Sequence, residues 1–319
     1  MSANQQPELF VNSGPKTKAA IIARVMSNTE ASYLVRDYYN AQRDRIRAAS
    51  QIRTIENMGT AVSDALYWRL ESARVTERNI KGLLDHYTAA HPMGSWMRSI
   101  VGIGPVISAG LLAHLDIEKA EVAGAFWSFA GLDPSKKWEK GQKRPWNAEL
   151  KTLCWKAGQS FIKFQNHEDC VYGHLFAERK KLEELRNERG DHAATAAQGL
   201  TFYGKETVAY KACLAGRLPQ AQVVARASRW TVKIFLSHLH QVWYKQHFKK
   251  DPPLPYAIAI LGHAHMIPAP NAVWDEADDV QAQVDEDGNE ITEDTSTVAA
   301  PATTEFSKPP KKFVRKPAK

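Results

Sequence analysis

Apolar residues in the first part of the chain recur at the spacing of an α-helix. Residues 16–90 contain no proline and only two glycines, Gly59 and Gly82. Steps of three and four residues place apolar side chains on one helix face, while arginines alternate with acids on the others. The recurring apolar positions include Ile21, Val25, Ile52, Ile55, Met58, Val62, Leu66, Leu70, Ile80, Leu83 and Leu84. The pattern predicts two or three long helices that form an antiparallel hairpin or a dimeric coiled coil, and the spacing over several heptads does not decide between them.

A break at His91-Pro92-Met93-Gly94 ends this region, because proline and glycine interrupt helices. Further helical stretches follow, including a last one that ends before the prolines at 252 and 253. Beyond about residue 275 the chain is acidic, then rich in proline and lysine, a composition typical of disorder. The sequence therefore predicts a mainly α-helical protein. Its parts are a flexible arm (1–15), a long helical region (16–91), a compact helical domain (92–270) and a disordered tail (271–319).

The charge of the chain is unevenly distributed. The 319 residues carry a formal net charge of +7. Residues 275–319 contain 11 acidic and 6 basic residues, so the 36 basic and 24 acidic residues before them give a net charge of +12. A basic body favours a polyanionic partner such as nucleic acid, although solubility alone is a simpler explanation.

Cysteine content and hydropathy indicate where such a chain would reside. The three cysteines are scattered and form no CxxC pair, so neither a disulfide framework nor a cysteine metal site is predicted. No apolar run approaches the roughly 18 residues of a membrane span, and the polar N-terminus lacks a signal-peptide core. These features predict a cytoplasmic protein that has no contact with membranes.

A glycine turn provides the first candidate site. Gly102-Ile103-Gly104-Pro105-Val106 fits a helix–hairpin–helix pattern, in which both glycines adopt backbone angles that a Cβ would forbid. Ile103 would point into the helix interface, and proline suits the first turn of the second helix. The free N–H groups at that helix start can hold a phosphate oxygen without reading sequence. The alternative is a structural turn with no ligand.

An aromatic and basic loop follows about 20 residues later. Its candidate DNA-binding residues are Lys136, Lys137, Trp138, Lys140, Lys143 and Arg144. Lysine and arginine neutralise phosphates, and an indole ring can stack on an exposed base. Trp138 is surrounded by charge and is therefore the stacking candidate. Trp127, Phe129 and Trp155 have apolar neighbours, so we expect them in the core.

The two segments together resemble a known family. Val101 to Leu112, with its GIGP turn, and Phe126 to Pro134, with its AGLDP block, are similar to the C-terminal domain of IS110/IS116/IS902-type transposases. A helix from about Asn147 to Trp155 continues the likeness, which covers residues 95–165. The resemblance implies that the chain binds DNA and a structured RNA. It also implies recombination through a serine nucleophile, together with an acidic, metal-binding domain at the N-terminus.

The sequence departs from that family in two respects. Before residue 90, the acids sit in a helical pattern rather than on alternating strands, so the acidic metal-binding domain is not predicted here. The family's serine is expected in a Ser-Gly context after AGLxP, where this chain has Lys140-Gly141. Ser135 is the only hydroxyl residue between Pro134 and Thr152, and is therefore the catalytic candidate.

Several other residues are candidate ligands for a metal or a phosphate. His238-x-His240 and His263-x-His265 resemble metal-ligand pairs, but no further ligand stands at a recognisable spacing, so we predict no metal site and exposed or capping histidines. Arg226 and Arg229 either face phosphate or are simply solvated, and solvation is the simpler interpretation.

Three functional hypotheses follow, none of which requires a cofactor. The first is a DNA-binding protein related to these transposases, with the domain over residues 92–270 as the binding part. The second is an active recombinase that uses Ser135. The third is a non-enzymatic assembly or adaptor protein in which the N-terminal helices form a homo-oligomer.

Overall fold

The computed structural model describes residues 26–253 and 267–272, and every regular element within these ranges is helical. This confirms the prediction of a mainly α-helical protein. The α-helices of the described ranges are α1 (Asn28–Asn57), α2 (Asp64–Ala90), α3 (Gly94–Ser99), α4 (Pro105–His114), α5 (Ala123–Phe129), α6 (Ala148–Lys163), α7 (Val171–Glu188), α8 (Ala193–Gly199), α9 (Val208–Leu214) and α10 (Gln220–Phe248). A short 3-10 helix, Ile117–Lys119, lies between α4 and α5.

Helix α1 begins at a capping box. The Ser27 hydroxyl accepts a hydrogen bond from the Glu30 N–H at 3.3 Å, and the Glu30 carboxylate accepts one from the Ser27 N–H at 2.8 Å. This arrangement satisfies amide groups that a helix start leaves without partners. The negative charge of Glu30, in the first turn of the helix, also interacts favourably with the positive end of the helix dipole.

Helices α1 and α2 run antiparallel. Glu56 contacts Tyr67 at 3.2 Å, Gln51 contacts Arg69 at 2.9 Å, and Arg45 forms an ion pair with Glu77, so residues farther from the turn on α1 pair with residues farther from it on α2. A small apolar cluster of Ala48, Ile52 and Leu70 lies near the connecting turn. The two helices of one chain therefore form a hairpin.

The main core surrounds α4. Ala109, Leu111 and Leu112 are fully buried, and a Cβ on Gly110 would lie 2.7 Å from a methyl group of Leu153. Because that position has no side chain, α4 and α6 approach closely. Val35 of α1 belongs to the same core, so the base of the hairpin packs against α4. The predicted domain boundary near residue 91 remains a prediction.

The buried face of α10 carries two histidines. The Tyr172 hydroxyl lies 2.8 Å from His238 Nδ1, and His238 Nε2 lies 2.9 Å from the carbonyl oxygen of Ile267. His240 Nε2 lies 2.8 Å from the carbonyl oxygen of Ala120. Burial lowers the pKa of His238 to about 4. The expectation of exposed or capping histidines was wrong for this pair, because distant backbone carbonyls satisfy their ring nitrogens.

Residues 267–272 return to the body of the protein. The Trp96 indole N–H donates to the carbonyl oxygen of Pro270 at 2.8 Å, and the Asn271 amide donates to the carbonyl oxygen of Ser99 at 3.1 Å. The predicted arm (1–15) and nearly all of the predicted tail lie outside the described residues, as do His263 and His265. Among the helices that are described, none combines the length and apolarity that crossing a membrane requires.

Candidate nucleic-acid interface

The glycine turn joins α3 to α4 and packs against the end of α6. Gly102 has a φ of 94°, in the left-handed region that favours glycine. Its carbonyl oxygen accepts a hydrogen bond of 2.5 Å from the Ser160 hydroxyl. A Cβ at this position would lie 3.3 Å from the Ser160 Oγ and 3.4 Å from the Phe161 ring, while Ile103 beside it is buried. The backbone conformation therefore favours glycine at position 102, and a Cβ there would also make tight contacts.

Gly104 occupies a different environment from Gly102. Its φ of −88° and ψ of 175° describe extended backbone that any residue adopts. A Cβ there would meet no atom within 4 Å, and the residue is exposed. The interpretation that both glycines supply forbidden backbone angles was wrong for Gly104. Its position instead leaves open space in front of the helix start.

The start of α4 presents free amide groups at this open position. Pro105 is the first helical residue and has no N–H, and the Ser108 N–H already bonds the Gly104 carbonyl oxygen at 3.0 Å. No side chain caps the helix. The N–H groups of Val106 and Ile107 therefore belong to the set that a helix leaves without internal partners. The positive end of the helix dipole adds to their attraction for an anion.

The basic loop leaves the body of the protein after the AGLDP block and returns at Trp146. Gly131 has a φ of 66°, and a Cβ on it would lie 2.6 Å from the Trp146 ring. The Asn147 N–H donates to the Phe129 carbonyl oxygen at 2.9 Å, which anchors the segment where the loop returns. The two ends of the loop are thus held together, and the residues between them project outward.

The predicted contact residues of this loop face solvent. Trp138 is 40% exposed, and its indole N–H donates to the Gln142 carbonyl oxygen at 2.8 Å. The Arg144 guanidinium lies 4.7 Å from the centroid of the Trp138 ring, a cation–π contact that occupies one face of the indole. Among the described residues, no ion pair includes the exposed side chains of Lys136, Lys137, Lys140 and Lys143.

Ser135 is exposed at the start of this loop, beside a carboxylate. Its hydroxyl donates to Asp133 Oδ1 at 2.7 Å, and its N–H donates to the same oxygen at 2.9 Å. These two hydrogen bonds, helped by Lys136 and Lys233, lower the pKa of Asp133. A carboxylate with a lowered pKa is ionised at neutral pH but is a weak base.

Three aromatic residues were expected in the core, and two are not there. Trp127 is half-buried, and its indole N–H donates to the Lys233 carbonyl oxygen at 3.0 Å. Phe129 is 44% exposed and Trp155 is 60% exposed. The expectation was wrong for these two because their apolar sequence neighbours point to other faces of α5 and α6.

A groove beside the AGLDP block brings together cations that are far apart in the sequence. It has a volume of about 560 Å³ and lies between the block and helices α6, α7 and α10. Arg226 and Arg229, interpreted from sequence as solvated, line it. Its charged lining residues are Lys136, Lys151, Arg179, Arg226, Arg229, Lys233, Asp133 and Glu183. We refer to this set as the basic groove.

The turn and the basic groove lie on different sides of α6. Ser160 contacts the turn, whereas Lys151 lines the groove. Nine residues of α-helix correspond to a rise of about 14 Å and a rotation of about 180°. Lys136, the chain neighbour of Ser135, lines the groove, but the structure does not join these residues with Gly104 in one compact site.

The central part of the chain matches a known family. Residues 95–169 match the sequence model of the Transposase IS116/IS110/IS902 family, which confirms the resemblance stated for residues 95–165. The match includes the glycine turn, the AGLDP block, the basic loop and α6. No curated protein and no solved structure matches the chain significantly. The matched segment therefore spans less than a quarter of the chain.

Proposed function

We propose that this protein binds the phosphate backbone of nucleic acid, DNA in the first place, through the basic loop and the glycine turn. The observation that carries the proposal is the set of exposed loop cations. Five basic residues and one acid, Glu139, lie between residues 136 and 144. Because the loop lysines form no ion pair among the described residues, phosphates are suitable counterions.

The glycine turn supplies a second kind of contact. The amides of Val106 and Ile107 point from a helix start that has no capping side chain and open space in front of it. Backbone amides at such a position bind a phosphate oxygen without reading bases. A strand or duplex that follows the surface around α6 can contact the loop at one end of that helix and the turn at the other.

A charge-matched pair of triple variants tests this proposal. Lys137, Lys140 and Lys143 are replaced by Gln in the loop variant. The control replaces three exposed bases outside the loop, Arg53, Arg78 and Lys205, by Gln. Fluorescence anisotropy with a labelled duplex then measures affinity over a range of salt concentrations. The same net charge change separates a local contact from general electrostatic attraction.

We expect the loop variant to weaken binding and to reduce the slope of log K against log salt by about 0.9 for each lost phosphate contact. The control variant should keep the wild-type slope. Equal losses in both variants would mean that the loop makes no specific backbone contact. Absence of DNA retention by the wild type at low salt would refute the proposal outright.

A second candidate function, serine recombination, rests on the environment of Ser135. Its exposed hydroxyl donates to Asp133 Oδ1 at 2.7 Å, and its chain neighbours Pro134 and Lys136 line the basic groove. A covalent protein–DNA product formed by the wild type and abolished by Ser135→Ala would support it. No covalent product from wild-type protein, with DNA binding intact, favours binding without cleavage.

Two partner hypotheses accompany these functions. The family resemblance also implies a structured RNA partner, whose phosphates the same cations would neutralise. A homo-oligomer through the helical hairpin remains the basis of the adaptor hypothesis. Tyr67 and Trp68 of α2 are exposed on that hairpin, and Trp68 is 73% exposed. Sedimentation of the wild type with and without nucleic acid separates these hypotheses.

A further inference from the structure

The basic groove has a strongly positive lining that the fold itself does not neutralise. Six bases and two carboxylates line it. Lys151, Arg229 and Lys233 take part in none of the ion pairs among the described residues. Partial desolvation lowers the pKa of Arg229, repulsion from Arg226 lowers it further, and Glu183 opposes the shift. Desolvation also lowers the pKa values of Lys151 and Lys233, and Arg229 contributes to both.

A buried carboxylate holds the other side of the groove in place. Glu183 is 1% exposed, and its oxygens lie 2.5 Å from Arg179 and 2.8 Å from Arg226. His192 contacts the same carboxylate at 3.1 Å. Because Glu183 accepts from two arginines at once, their guanidinium groups are fixed before any ligand arrives. The Nε of Arg179 is buried and has no hydrogen-bond partner.

Tryptophan rings also position two cations of the groove, Arg179 and Lys151. The Arg179 guanidinium lies 5.2 Å from the centroid of the Trp230 ring, and the Lys151 ammonium lies 4.3 Å from that of Trp146. Arg179 is also paired with the Glu183 carboxylate, whereas the cation–π contact holds Lys151 without neutralising it. The groove therefore combines fixed geometry with uncompensated positive charge, which is the arrangement that an anion site requires.

We propose that the basic groove binds consecutive phosphates of a single nucleic-acid strand. A volume of about 560 Å³ is that of a small-ligand pocket, so it accommodates a short stretch of one strand rather than a duplex. A nucleic-acid strand and a free diphosphate both present consecutive phosphate groups, so the free diphosphate is the alternative ligand. That the ligand is a nucleic-acid strand rests on the proposed function, whereas phosphate binding by the groove does not.

A purely structural role for these cations predicts the opposite change in the melting temperature of the ligand-free protein. Clustered like charges destabilise the folded state unless an anion binds. In the proposed role, Arg229→Gln removes repulsion and raises the melting temperature of the ligand-free protein while it weakens binding. In a structural role, the same change lowers the melting temperature and leaves binding unchanged.

The test uses the full chain and three ligands: a single-stranded oligothymidylate, a duplex of unrelated sequence, and inorganic pyrophosphate. Isothermal titration calorimetry compares wild type with Arg229→Gln and Lys233→Gln, and Arg78→Gln on α2 is the control. Each groove variant should weaken binding of the single strand about tenfold or more, since a hydrogen bond to a charged group is removed. The control should bind as the wild type does.

The ligands separate the two sources of phosphate. Pyrophosphate bound by the wild type and lost in Arg229→Gln, with no binding of the single strand, would overturn the strand proposal and leave a diphosphate site. Groove variants that bind the single strand as tightly as wild type would also overturn it. The loop variant lacking Lys137, Lys140 and Lys143 should retain pyrophosphate binding, so failure of the loop proposal is distinguishable from failure of the groove.

Discussion

Replacement of Gly104 by Asp is expected to move stability and nucleic-acid binding in opposite directions. Gly104 occupies the N-cap position of α4 in extended backbone with open space around its Cα. Aspartate at an N-cap accepts hydrogen bonds from the amides two and three residues later, which here belong to Val106 and Ile107. It also places a negative charge at the positive end of the helix dipole. The free energy of unfolding should rise by about 0.3–1 kcal/mol.

The same carboxylate takes the place of the proposed phosphate ligand. It occupies the amides that we propose as donors, and it repels the nucleic-acid backbone. A hydrogen bond to a charged group contributes about 1.5–3 kcal/mol, so loss of one such contact lowers affinity about tenfold or more. Urea denaturation measures the stability change, and anisotropy with a labelled duplex at constant salt measures the affinity change.

Two further glycine substitutions serve as controls for this prediction. Gly104→Ala adds neither a cap nor a charge and meets no neighbouring atom, so it should largely retain affinity. Gly102→Ala places a Cβ at a φ of 94°, and should lower stability by about 1 kcal/mol. Wild-type affinity in a folded Gly104→Asp protein would show that the α4 amides contact no phosphate, and would refute the reasoning.

Three other changes test the structure around the site. The pKa of about 4 for buried His238 lies below the 6.5 of an exposed histidine, so the unfolded chain binds the proton at a higher pH than the folded chain does. The free energy of unfolding should therefore be complete above pH 6.5 and fall by about 3 kcal/mol toward pH 4. Urea denaturation should show a smaller loss in His238→Gln. Gly131→Ala should lower the unfolding free energy by about 1–3 kcal/mol, because its Cβ would meet the Trp146 ring; an unchanged denaturation midpoint would contradict this packing. Glu183→Leu should lower it by about 3 kcal/mol, since two arginines lose their buried partner, and a neutral effect in calorimetry would argue against that role.

Local patterns predicted the parts of the site that are continuous in sequence. The apolar spacing before residue 90 indicated the long helices, and the GIGP and AGLDP blocks indicated the transposase-family segment. The glycines of the turn could not be distinguished, because Gly102 and Gly104 have similar neighbours. The left-handed backbone of Gly102 and its contact with Ser160, 58 residues later in the chain, distinguish it from Gly104.

The basic groove could not be derived from any local pattern. In the sequence, Arg226 and Arg229 have the appearance of solvated helix residues, and Glu183, the ion-pair partner of Arg226, lies in a mixed-charge helix. Their convergence depends on how α10 packs against α7, which the sequence of neither helix specifies alone. The same reason explains the buried histidines, since His238 pairs with Tyr172, 66 residues earlier.

The central claim is that this protein binds nucleic-acid backbone, and a salt titration of wild-type affinity tests it most directly. Two duplexes of unrelated sequence are titrated with the full chain between about 50 and 200 mM salt. We expect equal affinities for both and a linear fall of log K with log salt, whose slope corresponds to several released counterions. No binding at the lowest salt, or an affinity that does not depend on salt, would contradict the account.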